Sequence, residues 1–298
     1  MLRRRYLSRK RSGFGSQPGY TRPHQHATRA GCGYARVVAE DLAIAGSGPY
    51  NARIIAREDL TPTVAAFRVA LDTAAFPFEA GQYIAIGLEL SRGLVPRPYS
   101  IASSARRLED GYELYIRRVP GGALTPSLFA TGVGQRLLVG RPKGRFVLGV
   151  DDQRTHLFVA TGCGLAPFLA MVRTLLDQGQ PRRVVLVHGV SYIAELGYRS
   201  LLEDWERSGA LPLRYLPTIS RPEAPENAGW QGRTGRAEAQ LPQVLDDFGL
   251  TPQDTVVYLC GNPEMIETSR DLFVARGFLV DHVRSELYWP AATPRRVP

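Results

Sequence analysis

The segment Arg97-Pro98-Tyr99-Ser100-Ile101-Ala102-Ser103-Ser104 places a fixed cation, an aromatic ring and several hydroxyls on one extended stretch. In a strand, successive side chains alternate between faces, so Arg97 and Tyr99 share one side while Pro98 and Ser100 share the other. A guanidinium matches phosphate oxygens, and the neighbouring ring offers a surface for stacking. The stretch predicts a cradle for a flat, phosphate-bearing cofactor; an edge strand with a surface arginine is the structural alternative.

Three further motifs follow this stretch in a fixed order. They are Thr161-Gly162-Cys163-Gly164-Leu165-Ala166-Pro167-Phe168, Cys260-Gly261-Asn262-Pro263 and Glu286-Leu287-Tyr288-Trp289. Together with the first stretch, they resemble the ferredoxin–NADP reductase family over about residues 50 to 289. The resemblance implies a flavoenzyme in which the first motif binds FAD and the second binds the NADP pyrophosphate. The third would lie beside the nicotinamide, and the fourth would supply a near-terminal aromatic residue.

Length and composition fit a soluble protein of two ordinary domains. The chain has 298 residues, 44% of them hydrophobic, and no apolar run approaches the roughly 20 residues of a membrane helix. Its three cysteines, Cys32, Cys163 and Cys260, are too few for a four-thiolate iron–sulfur cluster and form no plausible disulfide framework. We therefore expect a cytoplasmic protein with no metal and no membrane span. The sequence is silent on oligomeric state, for which a monomer is the simplest expectation.

The formal charge of +9 is unevenly distributed along the chain. Residues 1–50 carry a net charge of +7, residues 51–150 of +5 and residues 151–298 of −3. Such a basic tail permits binding to nucleic acid or an anionic surface, an interpretation that predicts salt-sensitive DNA binding lost on deleting residues 1–40. The four motifs favour an enzyme that does not bind nucleic acid. Its mildly basic first domain would then suit an acidic protein partner.

The first 49 residues differ from the rest of the chain. Residues 1–39 contain no acid and show no helical or strand period, which predicts a disordered, basic N-terminal extension over residues 1–49. The run Arg3-Arg4-Arg5 lacks the apolar stretch that should follow it in an export signal. An organelle transit peptide and a misassigned translation start both remain open. At the other end, residues 290–298 form a Pro-rich, basic C-terminal extension.

Between these extensions the hydrophobic pattern changes once. Across residues 50–150, six short runs rich in β-branched and aromatic residues predict a closed antiparallel six-stranded β-barrel, which the resemblance identifies as the FAD domain. Residues 151–289 alternate apolar strands with amphipathic helices, which predicts an α/β doubly wound parallel sheet, the NADP domain of the family. The fourth barrel strand is expected at Tyr99–Ala102, a helix at Glu195–Ser208 and the last strand at Phe278–His282.

The expected FAD contacts lie on three segments of the barrel. The resemblance assigns FAD binding to the first stretch, the pyrophosphate to the loop and short helix after Pro120, and the ribityl and adenine side to one strand. The residues are Arg97, Pro98, Tyr99 and Ser100; Gly122, Ala123, Leu124 and Thr125; and Tyr115, Ile116 and Arg117. From the residues alone, the loop is also compatible with a plain hairpin turn in which Thr125 caps the helix.

The expected NADP contacts follow strands of the second domain. Gly162 and Gly164 follow its first strand and open its first helix, where phosphates bind in such sheets. In the family, a Ser-Arg pair after the third strand contacts the 2′-phosphate that distinguishes NADP from NAD; a plain surface arginine is the alternative. The assigned residues are Thr161, Gly162, Gly164, Pro167, Ser220, Arg221, Arg236 and Gly261. Some bacterial members carry another arginine after the second strand, where this chain has Val190-Ser191-Tyr192.

Five residues are expected at or beside the reacting centre. The resemblance makes Ser100 the hydroxyl at the redox edge of the flavin and Glu286 the carboxylate that balances the accompanying proton. It makes Cys260 the thiol that positions the nicotinamide, although a buried structural cysteine is the alternative. Tyr288 is expected to stack on the flavin until the nicotinamide displaces it, and Trp289 to extend that cover toward the adenine of FAD.

These expectations combine into one reaction. NADPH gives a hydride to FAD, and single electrons pass from the flavin to a ferredoxin or flavodoxin, with the reverse direction also available. Basic residues on the barrel side are expected to receive the acidic carrier. They are Arg92, Arg106, Arg107, Arg141, Lys143 and Arg145. The alternative is a reductase of the same fold that serves an oxygenase or another dedicated acceptor.

Overall fold

The computed structural model describes residues 50–287 except 92, 150 and 181. The predictions for residues 1–49, Arg92, Tyr288, Trp289 and the C-terminal extension therefore lie outside the described residues. Within the described part of the chain, no helix is both long enough and apolar enough to cross a membrane. No group of three His, Cys, Asp or Glu side chains in that part is placed to hold a metal ion.

Six antiparallel strands form the first sheet, as the sequence predicts. They are β1 (Ala52–Thr61), β2 (Val64–Leu71), β3 (Tyr83–Leu90), β4 (Gly93–Ser100), β5 (Tyr112–Arg117) and β6 (Arg136–Val139), with the short helix α1 (Thr125–Phe129) between the last two. Their order is β4-β3-β6-β1-β2-β5, and a bridge between Ile101 and Leu114 joins the two edges into a barrel. Buried apolar side chains such as Phe67 and Tyr112 form its core, to which α1 adds Leu128.

Strands and helices alternate in the second half of the chain, and all the strand pairs there are parallel. The strands are β7 (Thr155–Thr161), β8 (Val184–Val190), β9 (Leu213–Ile219), β10 (Arg233–Thr234), β11 (Thr255–Gly261) and β12 (Val283–Leu287). The helices are α2 (Ala166–Gln178), α3 (Arg199–Ser208), α4 (Ala237–Phe248) and α5 (Pro263–Ala275). The strand order is β10-β9-β8-β7-β11-β12. Helices α2 and α3 cover one face of this sheet and α4 and α5 the other, which is the predicted doubly wound arrangement.

The barrel and the parallel sheet share one apolar core. Phe146, which follows the barrel, packs edge to face on Phe168 of α2 with ring centroids 6.0 Å apart and on Tyr258 of β11 at 5.7 Å. The same cluster of buried residues includes Ala102 and Tyr115 from the barrel side. Removing this surface from water holds the two sheets together, so the carboxyl edge of the parallel sheet lies against the barrel.

Two elements begin at positions that differ from their predicted starts. The fourth barrel strand begins at Gly93 rather than Tyr99, because the whole segment up to Ser100 pairs with β3. The helix expected from Glu195 begins only at Arg199, because a short 3-10 turn ends at Glu195 and the intervening Tyr198 takes a left-handed conformation with φ 61°. The fourth barrel strand contains few β-branched residues, and the helix is interrupted near its predicted start. Both features weaken the hydrophobic periodicity from which strands and helices are predicted.

The last strand is displaced from its predicted position at Phe278–His282 to Val283–Leu287. Phe278 is apolar because it packs on Phe273 of α5, with ring centroids 5.1 Å apart, and not because it lies in a strand. The displacement places Glu286 within β12, directly opposite Cys260 of β11.

Candidate functional site

Three predicted residues meet where β4 of the barrel reaches the edge of the parallel sheet. The Ser100 hydroxyl, which is 5% exposed, donates to Oε2 of Glu286 at 3.4 Å, and Glu286 lies opposite Cys260 in the β11–β12 pair. Burial raises the pKa of Glu286 to about 7, against the opposing effect of the Ser100 hydrogen bond. This carboxyl can therefore hold or release a proton near neutral pH.

Cys260 is fully buried beside this carboxyl. Burial, reinforced by Glu286 and Cys163, raises the pKa of its thiol well above the usual range. A thiol in this environment stays neutral, which is unsuited to nucleophilic attack but compatible with a packing contact to a flat ring.

The segment after Cys260 is built to begin a helix beside the first nucleotide turn. Asn262 caps α5, because its side chain accepts from the main-chain N–H of Glu264 at 2.8 Å, and Pro263 occupies the first turn. The main-chain N–H of Asn262 donates to the Thr161 hydroxyl at 2.8 Å. Gly261 has φ +138°, and a Cβ there would lie 2.1 Å from the same hydroxyl oxygen. Thr161 thus joins β7 to the Cys260–Pro263 segment.

The predicted nucleotide turn follows β7 as expected. A 3-10 turn covers Gly162–Leu165, and Pro167 lies in the first turn of α2. Gly162 has φ +53°, and a Cβ added to it would meet no atom within 4 Å, so this side of the turn is open. Gly164 is enclosed, because a Cβ there would lie 2.3 Å from the Cys260 carbonyl oxygen. An open turn at the carboxyl end of a central strand fits a pyrophosphate.

A buried histidine that no sequence motif indicated forms a hydrogen bond with the main chain of this turn. His188 of β8 is fully buried, and its Nε2 lies 3.1 Å from the Gly162 carbonyl oxygen while its Nδ1 lies 3.1 Å from the Tyr215 hydroxyl. Burial lowers the pKa of His188 to about 4, so the ring is neutral. Since a carbonyl only accepts, Nε2 donates to Gly162 and Nδ1 accepts from Tyr215.

The predicted Ser-Arg pair lies where β9 ends. The Ser220 main chain continues the sheet by donating to the Val190 carbonyl at 2.9 Å. The exposed Arg221 guanidinium lies 5.2 Å from the centre of the Tyr192 ring and donates to its hydroxyl. Tyr192 lies in the segment after β8, and no pattern in the sequence singled it out. The structure therefore brings one exposed cation and one aromatic ring together after β8 and β9.

Arg236 is engaged with two carboxylates. It pairs with Glu238 of α4 at 2.6 Å and with Glu264 of α5 at 2.9 Å. These pairs offset its charge and link the starts of the two helices.

The predicted FAD residues of the first stretch lie in the C-terminal half of β4. Arg97 is exposed and donates to the Pro96 carbonyl at 2.7 Å, while Pro98 and Tyr99 are half-buried and Ser100 is buried. Burial raises the pKa of the Tyr99 hydroxyl, which therefore stays neutral. An exposed guanidinium, a half-buried ring and a buried hydroxyl in sequence fit the phosphates and flavin of FAD.

The loop before α1 has an open side and a fixed side. Ala123 is exposed and Gly122 half-buried, but Leu124 is buried in the barrel core, which leaves its main chain as the part that could reach a ligand. The Thr125 hydroxyl accepts from the Val119 main-chain N–H at 3.0 Å. This hydrogen bond joins the two ends of the Val119–Thr125 loop and fixes the segment that was expected to hold the pyrophosphate.

The third predicted FAD segment is covered by the second half of the chain. Tyr115 is 1% exposed, and its ring packs on Tyr198 with centroids 5.3 Å apart, whereas Ile116, also 1% exposed, lies in the core of the barrel. The Arg117 guanidinium forms an ion pair with Glu195. The residues between β8 and α3 therefore lie directly on the strand that was expected to face the ribityl and adenine side.

Two family models match the chain. An "Oxidoreductase FAD-binding domain" matches residues 51–148 and an "Oxidoreductase NAD-binding domain" matches residues 158–271. The chain is 34% identical over 250 residues to "Ferredoxin--NADP reductase B" of Sorangium cellulosum, covering 80% of this chain and 98% of that protein. It is 32% identical over 244 residues to "Phenol hydroxylase P5 protein" of Acinetobacter pittii, covering 82% of this chain and 66% of that protein.

A solved structure gives the same result at the level of the fold. The Amycolatopsis cytochrome P450 reductase GcoB matches with a TM-score of 0.70 and 28% sequence identity, covering 82% of this chain and 70% of that chain. The names of these three proteins refer to a ferredoxin–NADP reductase, a phenol hydroxylase and a cytochrome P450 reductase.

Proposed function

This chain belongs to the ferredoxin–NADP reductase family of FAD- and NAD(P)-binding oxidoreductases, and on that premise we propose that it exchanges a hydride between NADP(H) and FAD and single electrons between FAD and a ferredoxin or flavodoxin. The observation that supports this most directly is the meeting of Ser100, Glu286 and Cys260 at the junction of the two sheets. When bound, FAD converts a two-electron hydride into single-electron transfers. The protein supplies position, protons and electrostatics around it.

Each half of the chain binds one nucleotide in this proposal. Residues 50–150 bind FAD, with Arg97 and the loop before α1 at its phosphates. Residues 151–289 bind NADP(H), with the open side of Gly162 at its pyrophosphate. The neutral thiol of Cys260 fixes the nicotinamide plane, which brings hydride donor and acceptor to reacting distance. Ser100 and Glu286 hold the proton that accompanies the hydride.

The outer residues complete the proposed site. Arg221, oriented by Tyr192, contacts the 2′-phosphate and so favours NADP over NAD. Tyr288 and Trp289 cover the flavin and exclude water until the nicotinamide enters. The acidic electron carrier docks on the basic barrel side, where Arg106, Arg107, Arg141, Lys143 and Arg145 are the candidates within the described residues.

A dedicated acceptor is the second candidate for the electron partner. The specific observation in its favour is the 32% identity to a phenol hydroxylase component of Acinetobacter pittii, close to the 34% identity to the Sorangium cellulosum reductase. The hydride half of the reaction is the same in both cases. The two candidates differ only in which protein receives the electrons.

The test is NADPH-driven reduction of cytochrome c by the purified, FAD-loaded protein, with and without added ferredoxin or flavodoxin and with NADH as the control. We expect a carrier to raise the rate many-fold and NADPH to exceed NADH. Arg221→Ala should raise KM for NADPH but not for NADH, whereas Arg214→Ala, an exposed arginine on β9 paired with Glu206, should change neither.

Two results would contradict the proposal in different ways. If the protein reduced a dye but neither carrier increased the rate, ferredoxin and flavodoxin would be excluded as partners. A dedicated acceptor such as an oxygenase would then remain as the candidate. Failure to reduce any acceptor with either nicotinamide would remove the hydride reaction itself.

A further inference from the structure

Asn227 joins the two segments that carry the proposed 2′-phosphate contact. It lies in the loop between β9 and β10 and is 2% exposed. Its Nδ2 donates to the Ser191 carbonyl at 2.9 Å and to the Arg221 carbonyl at 2.7 Å, and its Oδ1 accepts from the Ile193 main-chain N–H at 2.8 Å. One side-chain amide thus uses both ends to link the segment after β8 with the segment after β9.

The segment after β8 has a second anchor on its opposite side. Glu195 is 9% exposed, and its Oε2 accepts from the main-chain N–H groups of Ser191 at 3.0 Å and Tyr192 at 3.2 Å. The main chain of Tyr192 is therefore held from the barrel side by Glu195 and from the other side by Asn227. Its ring and hydroxyl in turn hold the Arg221 guanidinium.

This arrangement decides how freely Arg221 moves. An exposed arginine samples many rotamers, and an anion that binds it must order the side chain on each encounter. Asn227 fixes the Arg221 carbonyl and the main chain on both sides of Tyr192, so the guanidinium and the Tyr192 side chain that it contacts are positioned to meet before a ligand arrives. Such pre-organisation favours the ligand that carries the matching phosphate over one that lacks it.

We propose that Asn227 is a positioning residue for the 2′-phosphate of NADP(H), acting through the main chain of Arg221 and the Tyr192 loop. The inference rests on the NADP preference proposed above. It adds a determinant that lies outside the Ser-Arg pair and does not itself touch the nucleotide.

The experiment measures binding rather than turnover. Dissociation constants for NADP⁺ and NAD⁺ are measured by difference absorbance on the FAD-loaded, full-length wild type and on Asn227→Ala. We expect the substitution to raise the NADP⁺ dissociation constant about tenfold, equivalent to about 1.4 kcal/mol, and to change the NAD⁺ value by less than about twofold.

The chain offers a matched control in Asn51. This residue makes the same kind of two-ended amide contact in the barrel, donating to the Val139 carbonyl at 2.9 Å and accepting from the Val139 N–H at 2.8 Å. Asn51→Ala should therefore leave the ratio of the two dissociation constants unchanged. If Asn227→Ala does not fold, Asn227→Ser, which keeps one hydroxyl donor, provides the same comparison.

A double variant tests the route of the effect. In an Arg221→Ala background, Asn227→Ala should no longer change the NADP⁺ to NAD⁺ ratio, because the residue acts through Arg221. An unchanged ratio in the single variant, or a persistent effect in the double variant, would overturn the role of Asn227. Equal affinity of the wild type for both nucleotides would instead overturn the proposed NADP preference, and the role of Asn227 with it.

Discussion

Glu286 combines a half-buried carboxyl at the junction of the two sheets with a hydroxyl donor, Ser100. Burial raises its pKa from the ordinary 4.5 to about 7. A raised pKa means that the folded protein binds this proton more tightly than the unfolded chain does. The stability from the protonated carboxyl is therefore fully present below pH 4.5 and is lost as the pH rises through 7.

Glu286→Gln should remove this pH dependence. Relative to the variant, we expect the free energy of unfolding of the wild type to fall by up to about 3 kcal/mol between pH 5 and pH 8. Urea unfolding of both proteins at several pH values across this range measures the difference. Parallel stability curves would show that the carboxyl is ionised in the folded protein throughout.

At the scale of single residues, motif-bearing positions were predictable and supporting ones were not. Ser100, Cys260 and Glu286 belong to recognisable motifs, and the structure brings them together. His188 and Asn227 belong to no motif, and each contacts a main-chain carbonyl far along the chain, 26 residues away for His188 and 36 for Asn227. A local sequence pattern cannot predict such a contact, because every residue has a main-chain carbonyl and the residue type does not show which one accepts the hydrogen bond.

The turn between β7 and α2 is the element on which nucleotide binding depends in this proposal. Its two glycines have different surroundings, since Gly162 faces open space and Gly164 faces the Cys260 carbonyl. The first is constrained by its left-handed φ of +53° and the second by the close approach of β11. The same residue type thus serves ligand access at one position and packing at the other.

Alanine at each position should separate these two roles. Gly164→Ala places a methyl group against main chain that cannot move aside, so we expect a loss of about 3 kcal/mol of stability. Gly162→Ala should cost only about 1 kcal/mol for its backbone conformation, yet weaken NADP⁺ binding, because the new methyl group occupies the open side. Chemical denaturation and nucleotide titration measure the two effects. If Gly162→Ala bound NADP⁺ as tightly as the wild type does, the placement of the pyrophosphate would be contradicted.

At the scale of elements, periodicity predicted most of the helices and strands but misplaced the last strand. Phe278 and its apolar neighbours gave a strand pattern, yet Leu279 and Val280 are exposed at 63% and 65%. The true strand, Val283–Leu287, contains Arg284 and Glu286 among its five residues and has no apolar alternation of its own. It is an edge strand that pairs with β11 alone, so its sequence carries a weaker signal than a central strand does.

The whole molecule is held together by a buried charge cluster as well as by its shared apolar core. Glu113 of the barrel accepts from Arg68 at 2.7 Å, from the Tyr198 hydroxyl at 2.6 Å and from Arg173 of α2. Arg173 also donates to the Ala102 carbonyl at 2.8 Å. Burial acts to raise the pKa of Glu113, but Arg173, Tyr198 and Arg68 together hold it below its usual range.

Removing Arg173 should therefore destabilise the whole protein. We expect Arg173→Met to lower the free energy of unfolding by about 3 kcal/mol, because Glu113 loses its more buried cation and keeps only Arg68 and the Tyr198 hydroxyl as partners. The double variant with Glu113→Gln should recover part of that loss. Both are measured by chemical denaturation.

A second ion pair provides the control. Arg107, which is 60% exposed, pairs with Asp177 of the same helix α2 from the same side of the barrel. Arg107→Met should have a much smaller effect, because an exposed pair is screened by water and salt. Equal losses for Arg107→Met and Arg173→Met would contradict a special role for the buried cluster.

At the scale of the molecule, the sequence predicted two sheets in the right order but not how they meet. The alternation of strands with helices is a local pattern, and so is the change of pattern near residue 150. The packing of Tyr115 in β5 on Tyr198, in the segment before α3, forms only in the folded protein. The local sequence around Tyr115 gives no sign of this contact, because its partner lies in the other half of the chain.

Ser100 and Glu286 are 186 residues apart in the sequence, so the ribosome synthesises one side of the site well before the other. All six barrel strands leave the ribosome before β7 does, and N-terminal units fold first during synthesis. The barrel can thus close on the nascent chain, while β7 must wait for β11 to complete the centre of its sheet. Glu286 emerges later still, so the barrel strands are complete before the carboxyl that Ser100 contacts has been synthesised.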